Sequence, residues 1–266
     1  MSMMEELEQR SRESIHPGAE DYYQDGLLYC GKCHTAKQTR FTYKGITRTP
    51  MILCNCEKER MRQEEEEEKR KEREQKIKRL RKMGFSDSEM QNWTFAQDDG
   101  ENEKLTQIAQ RYVEHFEEIE GKGLLLYGSV GTGKTFIAAC IANELIDRGH
   151  PCLVTNFARL ERDKDDLDRL NMFDLLVIDD LGMERDSEYM GEIVQSIIDA
   201  RYRSGKSLII TTNLTAAELK NPSDVRKQRI YSRLFEMCIP VEAKGKDRRK
   251  ERLKADYRDY ADLLGI

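Results

Sequence analysis

Eight residues of this chain, Gly128-Ser129-Val130-Gly131-Thr132-Gly133-Lys134-Thr135, satisfy G-x-x-x-x-G-K-[ST] at every fixed position. That spacing is a phosphate cradle. Its glycines let the backbone turn tightly and aim N–H groups inward. Those amides, with the N-terminus of a following helix, favour a polyphosphate anion. Lys134 is then placed to reach the β- and γ-phosphates, and Thr135 to ligate Mg²⁺. The motif needs a strand before it and a helix after it. Gly123–Tyr127 (GLLLY) reads as a short apolar strand, and residues 136–146 read as a helix. ATP and Mg²⁺ are the cofactors this loop predicts.

A second set of reactive groups follows an apolar run. Leu175-Leu176-Val177-Ile178 ends in Asp179 and Asp180, the Walker B pattern. A buried strand delivers its last carboxylate to the sheet edge where open α/β folds bind ligands. Asp179 is expected to orient Mg²⁺ and its waters, and Asp180 to orient or activate the attacking water. Residues 207–213 form another apolar strand that ends at Asn213. This Asn either occupies the sensor 1 position of additional-strand ATPases, bonding the lytic water or γ-phosphate, or caps the next helix.

A third set is sulfur. Cys30 and Cys33 are spaced C-x2-C, and Cys54 and Cys56 are spaced C-x-C. The first pair, turning on Gly31, has zinc-knuckle spacing. Residues 39–47 read as a β-hairpin with its turn near Gly45, which carries the second pair back to the first. So short a segment buries little core. A structural zinc ion supplies roughly 10–16 kcal/mol of apparent binding energy instead. His34 is a rival ligand, and the other reading is four unrelated reduced thiols. Cys140, Cys152 and Cys238 stand alone in apolar contexts and read as core.

The elements that carry these groups fill about two domains in 266 residues. Formal net charge is −5, so a nucleic-acid contact must come from a local basic patch and not from a global field. No stretch is apolar for long enough to cross a bilayer, and the acidic start at Met1 lacks the apolar run of a secretion signal. A cytoplasmic setting is expected, where thiols stay reduced and paired cysteines point to metal before disulfide. From Glu57 the composition turns charge-dense, with Glu66/Arg70, Glu67/Lys71 and Glu72/Lys76 each four apart. That reads as an exposed connecting helix ending before Gly84; a nucleic-acid-binding basic helix is the sharper alternative. Trp93 and Phe95 are expected to pack on the following domain. Residues 105–119 have helical spacing, 151–155 read as a second strand, 188–203 as a crossover helix, and Cys238–Glu242 as the last strand. The expected fold is α/β: a P-loop ATPase domain with a parallel sheet between helices at 85–266, a charged linker helix at 61–84, and a Cys-rich zinc module at 1–60 that binds a partner.

The run at 174–183 (DLLVIDDLGM), together with Ser187-Glu188-Tyr189-Met190, residues 200–206 (ARYRSGK), 208–214, and Arg229-Ile230-Tyr231-Ser232-Arg233-Leu234, resembles the DnaC/IstB-type AAA+ ATPases. Within them it is most similar to the bacterial and prophage helicase loaders. The resemblance covers the chain from about Phe85 onward. It implies a loader that binds a replicative DNA helicase and assists its placement on single-stranded DNA. It further implies ATP hydrolysis at subunit boundaries of a homo-oligomer. It places the arginine finger at Arg233, with Arg229 as runner-up; such a finger contributes about 10³–10⁵ in rate in well-known phosphoryl-transfer cases. Arg248 and Arg249 fall near a sensor 2-like position. Residues 244–254 form a basic patch, and Ser187 and Tyr189 align with a segment linked to single-stranded DNA. Between Phe157 and Phe173 the chain is shorter and more charged than the resemblance implies. The rival functions are an IstB-type transposition helper, a nucleotide-dependent adaptor with little turnover, and a P-loop kinase acting on a small molecule. The acidic pair after strand three, the polar residue at the sensor position and the two arginines argue against the kinase.

Overall fold

The computed structural model describes residues 18–119, 121–162, 167–182, 188–222, 224–250, 253, 257, 263 and 264. The chain forms two compact units, residues 1–74 and 75–266.

The first unit has two short antiparallel ribbons, β1 (Tyr22–Gln24) with β2 (Leu27–Tyr29) and β3 (Phe41–Tyr43) with β4 (Ile46–Arg48). Each closes on a two-residue turn whose central residues both have positive φ: Asp25 (51°) and Gly26 (71°), then Lys44 (48°) and Gly45 (78°). This is the mirror-image turn that matches strand twist. Among the described residues of this unit, only Leu28, Cys30, Lys37 and Cys54 are buried. Lys37 is held by Asp21 at 2.7 Å and by Glu57 at 3.7 Å.

Helix α1 spans Asn55–Gly84 and begins inside the second cysteine pair, six residues before the expected linker. The cause is local: Glu57 turns back to accept from the Cys54 amide at 3.2 Å, half of a capping box. The helix is exposed and charge-laced, as its composition predicts, but its partners differ in detail. Arg70 pairs with Glu67 (2.7 Å) and Glu74 (2.8 Å), Glu66 lies 3.9 Å from Arg62, and Glu67 reaches Lys71 at 3.4 Å. Arg70 has carboxylates on both sides and takes the two closest to its fork.

The second unit is built on a five-stranded parallel sheet in the order β6-β7-β8-β5-β9. Its strands are β5 (Gly123–Tyr127), β6 (Cys152–Asn156), β7 (Leu175–Leu181), β8 (Ser207–Thr212) and β9 (Cys238–Glu242). Successive side chains face opposite sides of a strand, and each side has its own core. Leu124, Leu126, Val177 and Ile209 pack with α2 (Glu103–Glu114) and α3 (Lys134–Asp147). Leu125, Leu176, Ile178 and Ile210 pack with α4 (Phe157–Arg162), α5 (Leu167–Leu170), α6 (Glu188–Ser204) and α8 (Val225–Met237). Short α7 (Ala216–Lys220) follows β8. Strands covered on both faces read as continuous apolar runs, which is why they were visible in sequence. Cys140, Cys152 and Cys238 are core, as expected.

The helix expected over 105–119 stops at Glu114, and residues 115–119 form a turn. The chain must there swing into β5, where a Cβ on Gly123 would lie 1.6 Å from the Leu208 carbonyl oxygen. Trp93 packs against the core beside Phe136, ring centroids 5.7 Å apart. Its segment is pinned by Asn143 of α3, which donates to the Met90 (2.8 Å) and Trp93 (3.0 Å) carbonyls. Under the other face lies Arg201, 1% exposed, donating to the carbonyls of Leu170, Phe173, Asp174 and Ser207 at 2.7–3.1 Å.

Candidate nucleotide site and cysteine cluster

The phosphate loop leaves β5 through three glycines with positive φ: Gly128 (137°), Gly131 (79°) and Gly133 (88°). A Cβ on Gly128 would meet the Ala243 carbonyl oxygen at 2.6 Å, and Gly133 caps α3 in the left-handed region. Lys134 is buried, and its ammonium donates to the Gly128 (2.9 Å) and Ser129 (2.7 Å) carbonyls of the loop. Burial pushes its pKa down. The charges of Asp180 and Asp179 offset that burial only in part, and a polyphosphate in the loop adds further counter-charge.

The carboxylates meet the loop through hydroxyls. Asp179 Oδ1 accepts from Thr135 Oγ1 at 2.8 Å and from Thr211 Oγ1 at 2.5 Å. A hydroxyl and a carboxylate converging at the mouth of a phosphate loop are the donor set Mg²⁺ takes in nucleotide sites. Asp180 is reached differently from the sequence expectation. The strand does not end there: β7 continues to Leu181 with a register shift between Ile178 and Leu181, and Asp180 sits inside it at φ 60°. A bulge re-aims one side chain, and here it directs the Asp180 carboxyl into the cleft beside the loop. Burial, reinforced by the charge of Asp179, raises the Asp180 pKa. Asn213 Nδ2 stands 3.4 Å from Asp180 Oδ1, while Thr215 caps the next helix by accepting from Glu218 N. The cap is therefore supplied by Thr215, and Asn213 faces the cleft.

The cleft measures about 880 Å³. Trp93, Phe136 and Asp99 line it along with the loop, Asp180, Asn213, Arg248 and Arg249. Arg248 lies 2.8 Å from Asp99, and its amide donates to Gly131 O at 3.1 Å. Both arginines thus border the cleft, and the basic run expected at 244–254 is partly absorbed by it; residues 251, 252 and 254 lie outside the described residues. Arg233 is not brought to this cleft. It pairs with Asp199 of α6 and lies 5.8 Å from the Tyr202 ring. Exposed Arg229 shares with it a second depression that includes Gln195 and Glu236. Ser187 and the side chain of Tyr189 lie outside the described residues. Thr211 was missed in sequence; its signal is a pair of threonines, Thr211-Thr212, ending a wholly buried strand.

In the first unit, the sulfurs of Cys30, Cys33, Cys54 and Cys56 all lie within 4.8 Å of one another. Cys56 Sγ is 3.4 Å from Cys30 Sγ and 3.2 Å from Cys54 Sγ, and none is in a disulfide. Tetrahedral Zn–S bonds of ~2.3 Å put sulfurs about 3.8 Å apart, so the four fit a zinc ion. The Thr35 hydroxyl, 3.1 Å away, and the Cys56 backbone hold the Cys33 thiol down to about 5, whereas burial pushes Cys54 up. His34 is no ligand here; its Nδ1 lies 3.3 Å from the Tyr22 hydroxyl.

Residues 56–255, about three-quarters of the chain, match the family described as IstB-like ATP binding protein. The chain belongs to that family. Among curated relatives of this IstB-like protein, the replicative helicase loader DnaI of Bacillus subtilis is 28% identical over 150 residues, 49% of this chain and 48% of the relative. The replicative helicase loader DnaC of Escherichia coli K12 is 32% identical over 123 residues, 42% of this chain and 50% of the relative. The IstB-like chain spans about half the length of the curated relatives it matches. A crystal structure of DnaI aligns with a TM-score of 0.53 at 27% identity, covering 64% of this chain and 99% of that one. A putative primosome component from Streptococcus pyogenes shares the fold, with a TM-score of 0.54 at 22% identity over 62% of this chain and 95% of that one. The AAA+ fold is thereby shown. Among the described residues, no helix is long and apolar enough to cross a membrane.

Proposed function

We propose that this IstB-like protein is an ATPase that loads a replicative helicase onto single-stranded DNA. The observation that carries the ATPase half is the convergence of Thr135, Asp179 and Asp180 at one mouth of the phosphate loop. Support for the helicase half comes from the relatives named as loaders.

In this reading the loop amides and Lys134 hold the β- and γ-phosphates, and Thr135 and Asp179 hold Mg²⁺. Mg²⁺, when bound, neutralises charge between the phosphates. The raised pKa of Asp180 suits it to draw a proton from a water that Asn213 helps to place. Arg248, whose amide donates to Gly131 O, and Arg249 stand beside the loop at the edge of the cleft. Arg233 acts on the cleft of a neighbouring copy, because its own cleft does not include it. Residues 1–60 form the zinc module that engages the helicase, 61–84 the linker and 85–266 the ATPase domain.

The test is native mass spectrometry with the replicative helicase of the same source, ATP and Mg²⁺. A defined complex with the helicase, lost when residues 1–60 are removed, establishes the loader, and the intact mass reports zinc. Absence of a complex from protein that binds ATP replaces this reading with a transposition helper. Lys134→Ala should abolish ATP binding. Arg233→Ala should bind ATP yet hydrolyse poorly, and mixing it with Lys134→Ala should restore turnover if the finger acts between copies.

A further inference from the structure

Residues 26–56 contain no acidic residue, in a chain where Asp and Glu number 50 of 266. The same stretch holds Lys32, Lys37, Arg40, Lys44 and Arg48. Lys37 is neutralised by Asp21 and Glu57, and a zinc centre with four thiolate ligands carries two negative charges, which leaves roughly two positive charges in excess. Against a whole-chain charge of −5, this is a local reversal of sign.

Within that stretch β3 and β4 are exposed at all six positions. Phe41 is 51% exposed, Tyr43 64% and Ile46 62%. The register pairs Phe41 with Arg48 and Tyr43 with Ile46, so these four share one face. Thr42 and Thr47 take the other face, with their hydroxyls 2.9 Å apart. At the tip, Lys44 Nζ stands 5.5 Å from the Tyr43 ring centroid. A lone two-stranded ribbon has no core of its own to justify such side chains. Aromatic rings two residues apart on one face lie about 7 Å from each other. With cations beside them and no carboxylate on the ribbon, they match single-stranded nucleic acid, whose bases stack on rings while its phosphates meet Lys and Arg.

We propose that the β3–β4 ribbon binds single-stranded nucleic acid, with Phe41 and Tyr43 stacking on bases and Lys44 and Arg48 facing phosphates. The ribbon belongs to the unit without the nucleotide cleft, so the proposal stands whether or not ATP is hydrolysed or a helicase bound.

The experiment is fluorescence anisotropy of a labelled dT20 oligonucleotide titrated with the zinc-loaded full-length protein, without helicase. Phe41→Ala/Tyr43→Ala should weaken binding at least about tenfold with zinc content and ATP affinity unchanged, and Phe41→Tyr/Tyr43→Phe should restore it. Lys44→Gln/Arg48→Gln should reduce the slope of log K against log salt by about 1.4. Wild-type protein that fails to bind dT20, or unchanged affinity in the double alanine variant, overturns the proposal. So does loss of a helicase complex with dT20 affinity intact, which would make the ribbon a protein-docking face. If the alanine variant loses zinc, the glutamine pair decides, and an unchanged salt slope overturns the proposal.

Discussion

The two units of this protein place their reactive groups in opposite relations to their cores. In residues 1–74 the sulfurs are the core: Cys30 and Cys54 are two of the four buried residues described there, and Leu28 is the only buried aliphatic side chain among them. In residues 75–266 the reactive groups ride on the rim of a sheet whose two apolar cores are complete without them. A chemistry that is also the scaffold cannot be altered without losing the scaffold. A chemistry mounted on a scaffold can be changed one group at a time.

Metal removal tests this most strongly. Chelation, or Cys54→Ser, should unfold the first unit, since zinc supplies roughly 10–16 kcal/mol of apparent binding energy in such sites. Limited proteolysis should then cut between residues 18 and 54, while ATP affinity of the second unit stays within twofold. Loss of ATP binding in Cys54→Ser, measured with Mg²⁺ present, would break the comparison.

Asp180→Asn probes the opposite case. Turnover should fall by about 10²–10⁴ with nucleotide affinity and thermal stability retained. The linkage sign agrees: a carboxyl whose folded pKa is raised binds its proton more tightly in the folded state. Its ionised form therefore costs stability above that pKa, and the cost vanishes as pH falls through it. Wild-type turnover should accordingly decline on the acid side at a pH above that of an ordinary aspartate, and Asp180→Asn should flatten that limb.

A smaller effect is expected at Arg201. Arg201→Met strands the four carbonyls it serves, at a cost of about 3 kcal/mol or more, read by urea unfolding. A stable variant would show that the second unit's core does not need this polar knot. Smallest is Glu67→Gln on α1: its pairs with Arg70 and Lys71 are exposed, so stability should shift by no more than about 0.5 kcal/mol.

Much of the second unit was legible because buried parallel strands are apolar runs bounded by glycine and polar residues. Gly123–Tyr127 and Cys238–Glu242 match their expected limits residue for residue. The phosphate loop and the converging cysteines were legible from spacing alone. What escaped depends on three-dimensional neighbours. The bulge at Asp180 arises from pairing with β8, which no local pattern records. Thr211 gains its meaning only beside Asp179. Arg201 sits in ARYRSGK and reads as one more surface cation until four carbonyls close around it. The start of α1 at Asn55 was hidden because Glu57 serves as a cap as well as the first of many charges.

The strand order also sets a timetable for the growing chain. β5, which carries the phosphate loop, pairs with β8 and β9, and both are made later. Between Tyr127 and Ser207 the ribosome adds 80 residues, taking about 4–16 s at 5–20 residues per second. Throughout that interval Leu124, Leu125 and Leu126 have neither strand to pair with, while the whole cysteine cluster has already been synthesised. The nascent second unit therefore exposes an apolar strand edge for seconds, which is where a chaperone would bind first.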